Sequence, residues 1–319
     1  MNNIDKKLNE KPRELIFHNI HDHGTEIVDM WMNEVEARTR TRVKFTKSTG
    51  ENQRLIAAAD VVRDVPVMSS RYPLLNLVQI PFVFPSATVG SRVIAQLYSE
   101  FSELRDELSD TKIVGIGTGA LMAIFSSRAW GPIRTLEDFK GARTRSLLPI
   151  DRFMTALGAK PIHVGYLEIS HLLGTGQLDA AVLGILPSYM FRLAEGAAPY
   201  CTLAGDYSIT MHPIRIYMKW DTWNKLPPDI QRVIEEIGPA DSDCWYAVHS
   251  GMDADNNLLK AKEYIKQKGE LFRVTPEELK RWRQSIQITQ DSIMRDVEAK
   301  GLPGRRFLKR MNELVAEYD

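Results

Sequence analysis

Ile133-Arg134-Thr135-Leu136-Glu137-Asp138-Phe139-Lys140-Gly141-Ala142-Arg143-Thr144-Arg145 carries three local signals in one short run. Thr135 to Asp138 resembles a capping box and predicts a single helical turn. Gly141 closes that turn. Arg143 and Arg145 then alternate on an extended segment, which puts both side chains on one face. An arginine held on a strand can grip a carboxylate through two parallel hydrogen bonds. An arginine pair by itself is more often a solvated face.

Outward from this run, strands and helices alternate. Glu14 to His18, Arg42 to Thr46, Lys112 to Gly115, Leu178 to Leu183 and Ile214 to Met218 are expected as strands. Helices are expected over Thr25 to Thr39, Asn52 to Val62, Val89 to Leu108, Asp151 to Leu157 and Glu168 to Gly174. Pro81 to Pro85 is expected to be extended. From Pro228 the chain is expected to be helical almost to its end, interrupted at Gly238-Pro239 and restarted at Thr275-Pro276. This order predicts α/β lobes with mainly parallel sheets. No linker composition separates two halves, so the lobes are expected to exchange strands.

The length of 319 residues suffices for two lobes. Forty-one Lys and Arg balance forty-one Asp and Glu, which argues against a nucleic-acid partner. No apolar run is long enough to span a bilayer. Residues 1 to 12 carry no apolar stretch of the secretory type, so the expectation is a leader already removed or a cytoplasmic chain. Cys201 and Cys244 make no metal motif, and two buried thiols are expected.

Two further sets of residues are candidates for chemistry. Gly115-Ile116-Gly117-Thr118-Gly119-Ala120 fits a dinucleotide fingerprint after a strand. Its acidic partner, however, falls in the turn at Glu137 and Asp138 instead of at a second strand. The plain alternative is a tight turn at the mouth of a cleft. His18, His21, Asp22 and His23 could hold a metal, line a ligand pocket or do neither. No G-x-S-x-G motif supports a nucleophile, and neither cysteine sits in a reactive context.

The run that opens this section resembles a signature of the DctP-like family of TRAP transporter solute-binding proteins. Further matches follow in order: Leu157-Gly158-Ala159-Lys160-Pro161, Tyr166 to Ile169, Gly174 to Ala180, Trp223 to Gln231 and Lys300 to Gly304. Trp31 to Glu36 and Pro81 to Phe84 fit at the front. The resemblance implies an α/β, two-lobed periplasmic-binding-protein type II fold with long C-terminal helices crossing between lobes. Lobe 1 would comprise residues 13–121 plus 212–250, and lobe 2 residues 122–211 plus 251–312, with the ligand cleft between them.

The implied function is an extracytoplasmic, periplasmic solute-binding protein of a TRAP-type transporter. It binds a small organic acid, delivers it to membrane permease subunits, acts as a monomer, and uses no cofactor, metal or catalysis. The family's carboxylate-clamping arginine falls on Arg145 and its aromatic wall on Tyr166. His21, Gly119, Met122, Leu183 and His212 are expected beside them. The uncharged stretch Gly119 to Phe125, where relatives often carry a second arginine, favours a monocarboxylate with an apolar or aromatic body. Leu183 at a position where some members use asparagine points the same way.

Three departures carry further expectations. Gly238-Pro239 should kink the helix that crosses both lobes. Lys219 replaces the usual asparagine after Met218. Lobe 1 is expected to be shortened near 64–73. The alternatives are a nucleotide-dependent oxidoreductase using the Gly115–Ala120 turn, and a degenerate relative that no longer binds.

Overall fold

The computed structural model describes residues 11–20, 25–66, 71–239, 241 and 243–319. The chain runs β1 (Arg13–Asn19), α1 (Thr25–Arg38), β2 (Val43–Thr49), α2 (Gln53–Ala58), β3 (Val61–Asp64), α3 (Ala87–Glu100), α4 (Ser102–Glu107), β4 (Lys112–Thr118), β5 (Met122–Ser126), β6 (Arg143–Arg145), α5 (Leu148–Ala156), β7 (Lys160–Ile162), α6 (Ile169–Gly174), β8 (Ala180–Gly184), α7 (Ile185–Met190), β9 (Tyr200–Leu203), β10 (Pro213–Met218), α8 (Trp220–Trp223), α9 (Pro228–Ile237), α10 (Trp245–Lys268), β11 (Glu270–Arg273), α11 (Pro276–Glu298) and α12 (Gly304–Tyr318).

The strands form two mixed sheets, in the orders β2-β1-β3-β10-β4 and β11-β9-β5-β8-β6-β7. In the first, β1 to β3 run parallel and β10 enters antiparallel between β3 and β4. In the second, β6 to β8 run parallel, and β5 lies antiparallel between β8 and β9. Each sheet borrows strands from distant sequence, as the lack of a linker led us to expect. The chain passes from one sheet to the other at Gly119–Leu121 and returns just before Pro213. These two crossings touch: the Gly119 N–H donates to His212 O at 2.9 Å and the Ile209 N–H to Met122 O at 3.0 Å.

The first sheet owes its core to rings. Phe17, Trp31 and Phe45 pack with centroids 5.6 to 6.3 Å apart. Trp31 sits with Ile27, Val28 and Val35 on the buried face of α1, at the spacing of one helical stripe. α10 is the long crossing element. It packs on α1, α3 and β4 beside the first sheet and on α7 and β11 beside the second.

Several expectations fail for identifiable reasons. Asn52 to Val62 is a short helix followed by β3, because Val61 and Val62 pair with β1 and β10. Val89 to Leu108 is two helices broken at Phe101, whose ring packs on Phe307 at 5.0 Å. The glycine-rich run is no turn: Gly115 and Gly117 lie inside β4, and strand β5 follows where a nucleotide fold needs a helix. A Cβ at Gly115 would lie 3.0 Å from the Tyr246 ring, and one at Gly117 3.1 Å from Ser91 Oγ. These glycines let α10 and α3 approach the strand closely, which removes the nucleotide reading. The Gly238-Pro239 break falls between α9 and α10, so the crossing helix runs from Trp245 to Lys268 without the expected kink. Pro81 to Pro85 is not simply extended, since Phe82 takes a left-handed φ of 65°.

Candidate functional site

Arg143 and Arg145 leave β6 in the same direction but meet different fates. Arg143 is spent on Asp179: its N–H and Nε donate to Oδ2 at 2.8 and 2.9 Å, and its Nη2 to Oδ1 at 2.7 Å. Arg145 is only 3% exposed. Its Nη1 donates to Val182 O at 3.2 Å, and its Nε has no partner. Among the described residues no carboxylate lies within ion-pair distance of it. Burial pulls its pKa down from the usual arginine range, yet a guanidinium stays charged in proteins. This is an uncompensated cation in a low-dielectric setting, a costly arrangement unless something anionic arrives.

The Tyr166 ring covers that cation, with the guanidinium carbon 5.1 Å from its centroid. Tyr166 packs in turn on Phe191 at 5.6 Å. Burial pushes its hydroxyl up to about 12, against the pull of Arg145. Tyr166 also lines a cavity between the two sheets. Tyr166 and Pro187 also border an outer cleft that Ile20, Gly50 and Glu51 line as well.

The apolar part of the inner cavity's lining is Ile27, Val65, Met122, Leu186, Pro187 and Ile214. Much of the polar lining comes from elements not singled out in the sequence. α10 contributes Ser250, Asp253, Ala254 and Asn257, one helical stripe. β3 contributes Arg63, 4% exposed, whose Nη1 donates to Asn19 Oδ1 at 3.1 Å and whose Nε has no partner. Desolvation, followed by the neighbouring Glu26 carboxyl, raises Asp253 to about 6; Arg63 and an Asn257 hydrogen bond act against this.

The expected residues are only partly brought together. Gly119, Met122, Tyr166 and His212 line the inner cavity. His212 Nδ1 is 3.0 Å from Gln79 Oε1. Arg145 lies one layer back, behind Tyr166. Leu183 is fully buried in β8 beside the lining residue Gly184. His21, Asp22 and His23 lie outside the described residues. His18 is fully buried, with Nδ1 2.8 Å from Ser48 Oγ and Nε2 2.8 Å from Gly50 O. Among the described residues no group of three His, Cys, Asp or Glu is placed to hold a metal. The uncharged stretch 119–125 is as read, but Arg63 brings a second arginine from the first sheet. Its signal was the Arg63-Asp64 pair after Val61-Val62, legible only if that segment is read as a strand.

The DctP model, described as bacterial extracellular solute-binding protein, family 7, matches residues 61–296. The chain belongs to this family. A curated solute-binding protein of Sulfitobacter sp. (strain NAS-14.1) is 32% identical over 183 residues, covering 54% of this chain and 51% of that protein. The match thus spans about half the length of that relative. Among solved structures, a marine metagenome TRAP solute-binding protein specific for aromatic acid ligands, from an unidentified microbe and in complex with 3-hydroxybenzoate, superposes with a TM-score of 0.86. It is 20% identical, with 97% of this chain and 100% of that chain covered. The Rhodoferax ferrireducens T118 protein with copurified benzoate gives 0.84 at 17% identity, covering 95% and 98%. The Bordetella bronchiseptica protein with bound (R)- and (S)-mandelate gives 0.84 at 18% identity, covering 97% and 100%. At these identities the likeness establishes the two-lobed binding-protein fold.

Proposed function

We propose that the chain is the extracytoplasmic solute-binding protein of a TRAP-type transporter and that Arg145 anchors the carboxylate of a small organic acid. The observation that carries this is the buried Arg145 guanidinium, with an unpaired Nε and no carboxylate partner among the described residues. A ligand carboxylate supplies the missing counter-charge. In a water-poor site such a charge-assisted contact is far stronger than at the surface. The Tyr166 ring stands between cation and cavity, so the acid reaches Arg145 as that ring turns aside.

The body of the ligand is apolar or aromatic and the acid single. Six apolar side chains line the cavity, Met122 among them. Arg63, the second arginine, faces the acidic pair Asp253 and Glu26 and so does not call for a second ligand carboxylate. The ligands named for the structural relatives, benzoate, mandelate and 3-hydroxybenzoate, are acids of this kind. The lobes are residues 13–121 plus 212–250 and 122–211 plus 251–312. The protein works as a periplasmic monomer and hands its ligand to membrane permease subunits.

The test is a thermal-shift screen of aliphatic, keto- and aromatic monocarboxylates against the parent and Arg145→Ala. The parent is expected to be stabilised by at least one acid and the variant by none. Equal stabilisation of both by the same acid sinks the clamp assignment.

A further inference from the structure

We propose that Asp253 and Arg63 together recognise a hydroxyl group on the body of the ligand, so that the site prefers hydroxylated acids to their unsubstituted parents. This rests on the carboxylate-clamp reading above and adds the substituent the other side of the pocket selects.

The case starts from what the polar wall has left over. Arg63 is buried and lines the inner cavity, and its Nε–H has no acceptor. Asp253 lines the same cavity from α10. Its Oδ1 accepts one hydrogen bond from Asn257 Nδ2 at 3.2 Å. Glu26 is its other acidic neighbour, and the pair is close enough for a carboxyl–carboxyl hydrogen bond. An ionised carboxylate has about four acceptor sites, so capacity remains for a donor from the cavity.

The wall therefore offers a guanidinium and an unsaturated carboxylate acceptor near enough for the Arg63 charge to act on Asp253. A hydroxyl is the small group that both donates and accepts. It can give its proton to Asp253 and take one from the Arg63 guanidinium. A keto oxygen can only accept and an ammonium can only donate, so each leaves one buried group unpaired, which is costly. A second ligand carboxylate meets Asp253 and Glu26 and is repelled. The same repulsion orients the ligand, sending its acid end away from α10 and toward Arg145. Ser250, another lining hydroxyl, can adjust to either orientation because its proton rotates.

The experiment is calorimetric titration of the full chain with benzoate, the three hydroxybenzoates, phenylacetate and mandelate. Each acid is run against the parent, Asp253→Asn and Asp253→Leu. A hydrogen bond to a charged group implies about 10- to 100-fold tighter binding of the best hydroxylated acid than of its parent acid. That ratio is expected to shrink in Asp253→Asn, which keeps shape, and to vanish in Asp253→Leu, with the unsubstituted acid bound at least as well as by the parent protein. Binding without discrimination in the parent overturns this inference and leaves the clamp standing. Discrimination that survives Asp253→Leu also overturns it. Failure of every acid to bind overturns both this inference and the clamp.

Discussion

Asp255 offers the sharpest test of how the crossing helix is tied to the first sheet. It sits on α10, yet its carboxylate closes the first turn of α3, far away in sequence. Oδ1 accepts from Ala87 N–H at 2.9 Å, and Oδ2 accepts from Thr88 N–H at 2.9 Å and Thr88 Oγ1 at 2.7 Å. Ser86 Oγ takes the Val89 N–H at 3.1 Å. Between them these two side chains satisfy the amides a helix start leaves unpaired, and the negative charge meets the positive end of the helix dipole. Asp255→Ala strips away the carboxylate's share. Losing a cap costs about 0.5–2 kcal/mol and losing a favourable charge at a helix terminus about 0.3–1 kcal/mol. Two amides, not one, lose their acceptor, but the half-buried site admits water. The expected net loss is therefore about 2–3 kcal/mol. At a urea slope of about 3 kcal/mol/M, as suits a chain this long, the midpoint falls by about 0.7–1 M. Urea titration followed by far-ultraviolet circular dichroism measures this. Asp255→Asn keeps one acceptor and should fall about halfway. A midpoint for Asp255→Ala within about 0.2 M of the parent would refute the claim that this contact fastens the two helices.

Gly251→Ala should destabilise by about 1–3 kcal/mol despite alanine's better helix propensity, because its Cβ would lie 2.5 Å from Thr88 Cα; an unchanged or raised melting temperature contradicts the close packing of α10 on α3. Cys201 and Cys244 are buried, unbridged thiols, and burial drives the Cys201 thiol well above its usual range. A thiol-specific chromogenic reagent should find neither in the folded protein and both in denaturant, and rapid native reaction counts against this. Glu107 is raised from 4.5 to about 7, burial outweighing its hydrogen bonds from the Leu74 and Leu75 amides. Because its folded pKa lies above its unfolded one, the stability it contributes is complete below about pH 4.5 and is lost as pH rises through about 7. Melting temperatures should therefore fall across that window and fall less in Glu107→Gln; identical profiles disprove it.

The sequence carried the local signals well. The capped turn at Thr135 to Asp138, the stop at Gly141 and the strand bearing Arg145 are set by a few neighbouring residues, and Asp138 Oδ2 does accept from Thr135 N–H at 2.8 Å. What it could not carry was decided by partners distant in the chain. Val61 to Asp64 became a strand because β1 and β10 flank it, and with that Arg63 turned into the cavity. β11 follows Gly269, where a Cβ would fall 2.3 Å from Pro199 O, a contact no periodicity reveals. Arg143 and Arg145 looked alike until Asp179 claimed one of them. The α10 stripe of Ser250, Asp253, Ala254 and Asn257 is visible as small residues at helical spacing, but its direction depends on where the helix lies.

Two of the places where the chain passes between the sheets are bonded to each other through Gly119 and His212, and both residues also line the inner cavity; α10 makes a third passage. A rotation of one sheet against the other works the backbone torsions of these few residues and the packing of α10. The floor of the pocket is thus also its hinge.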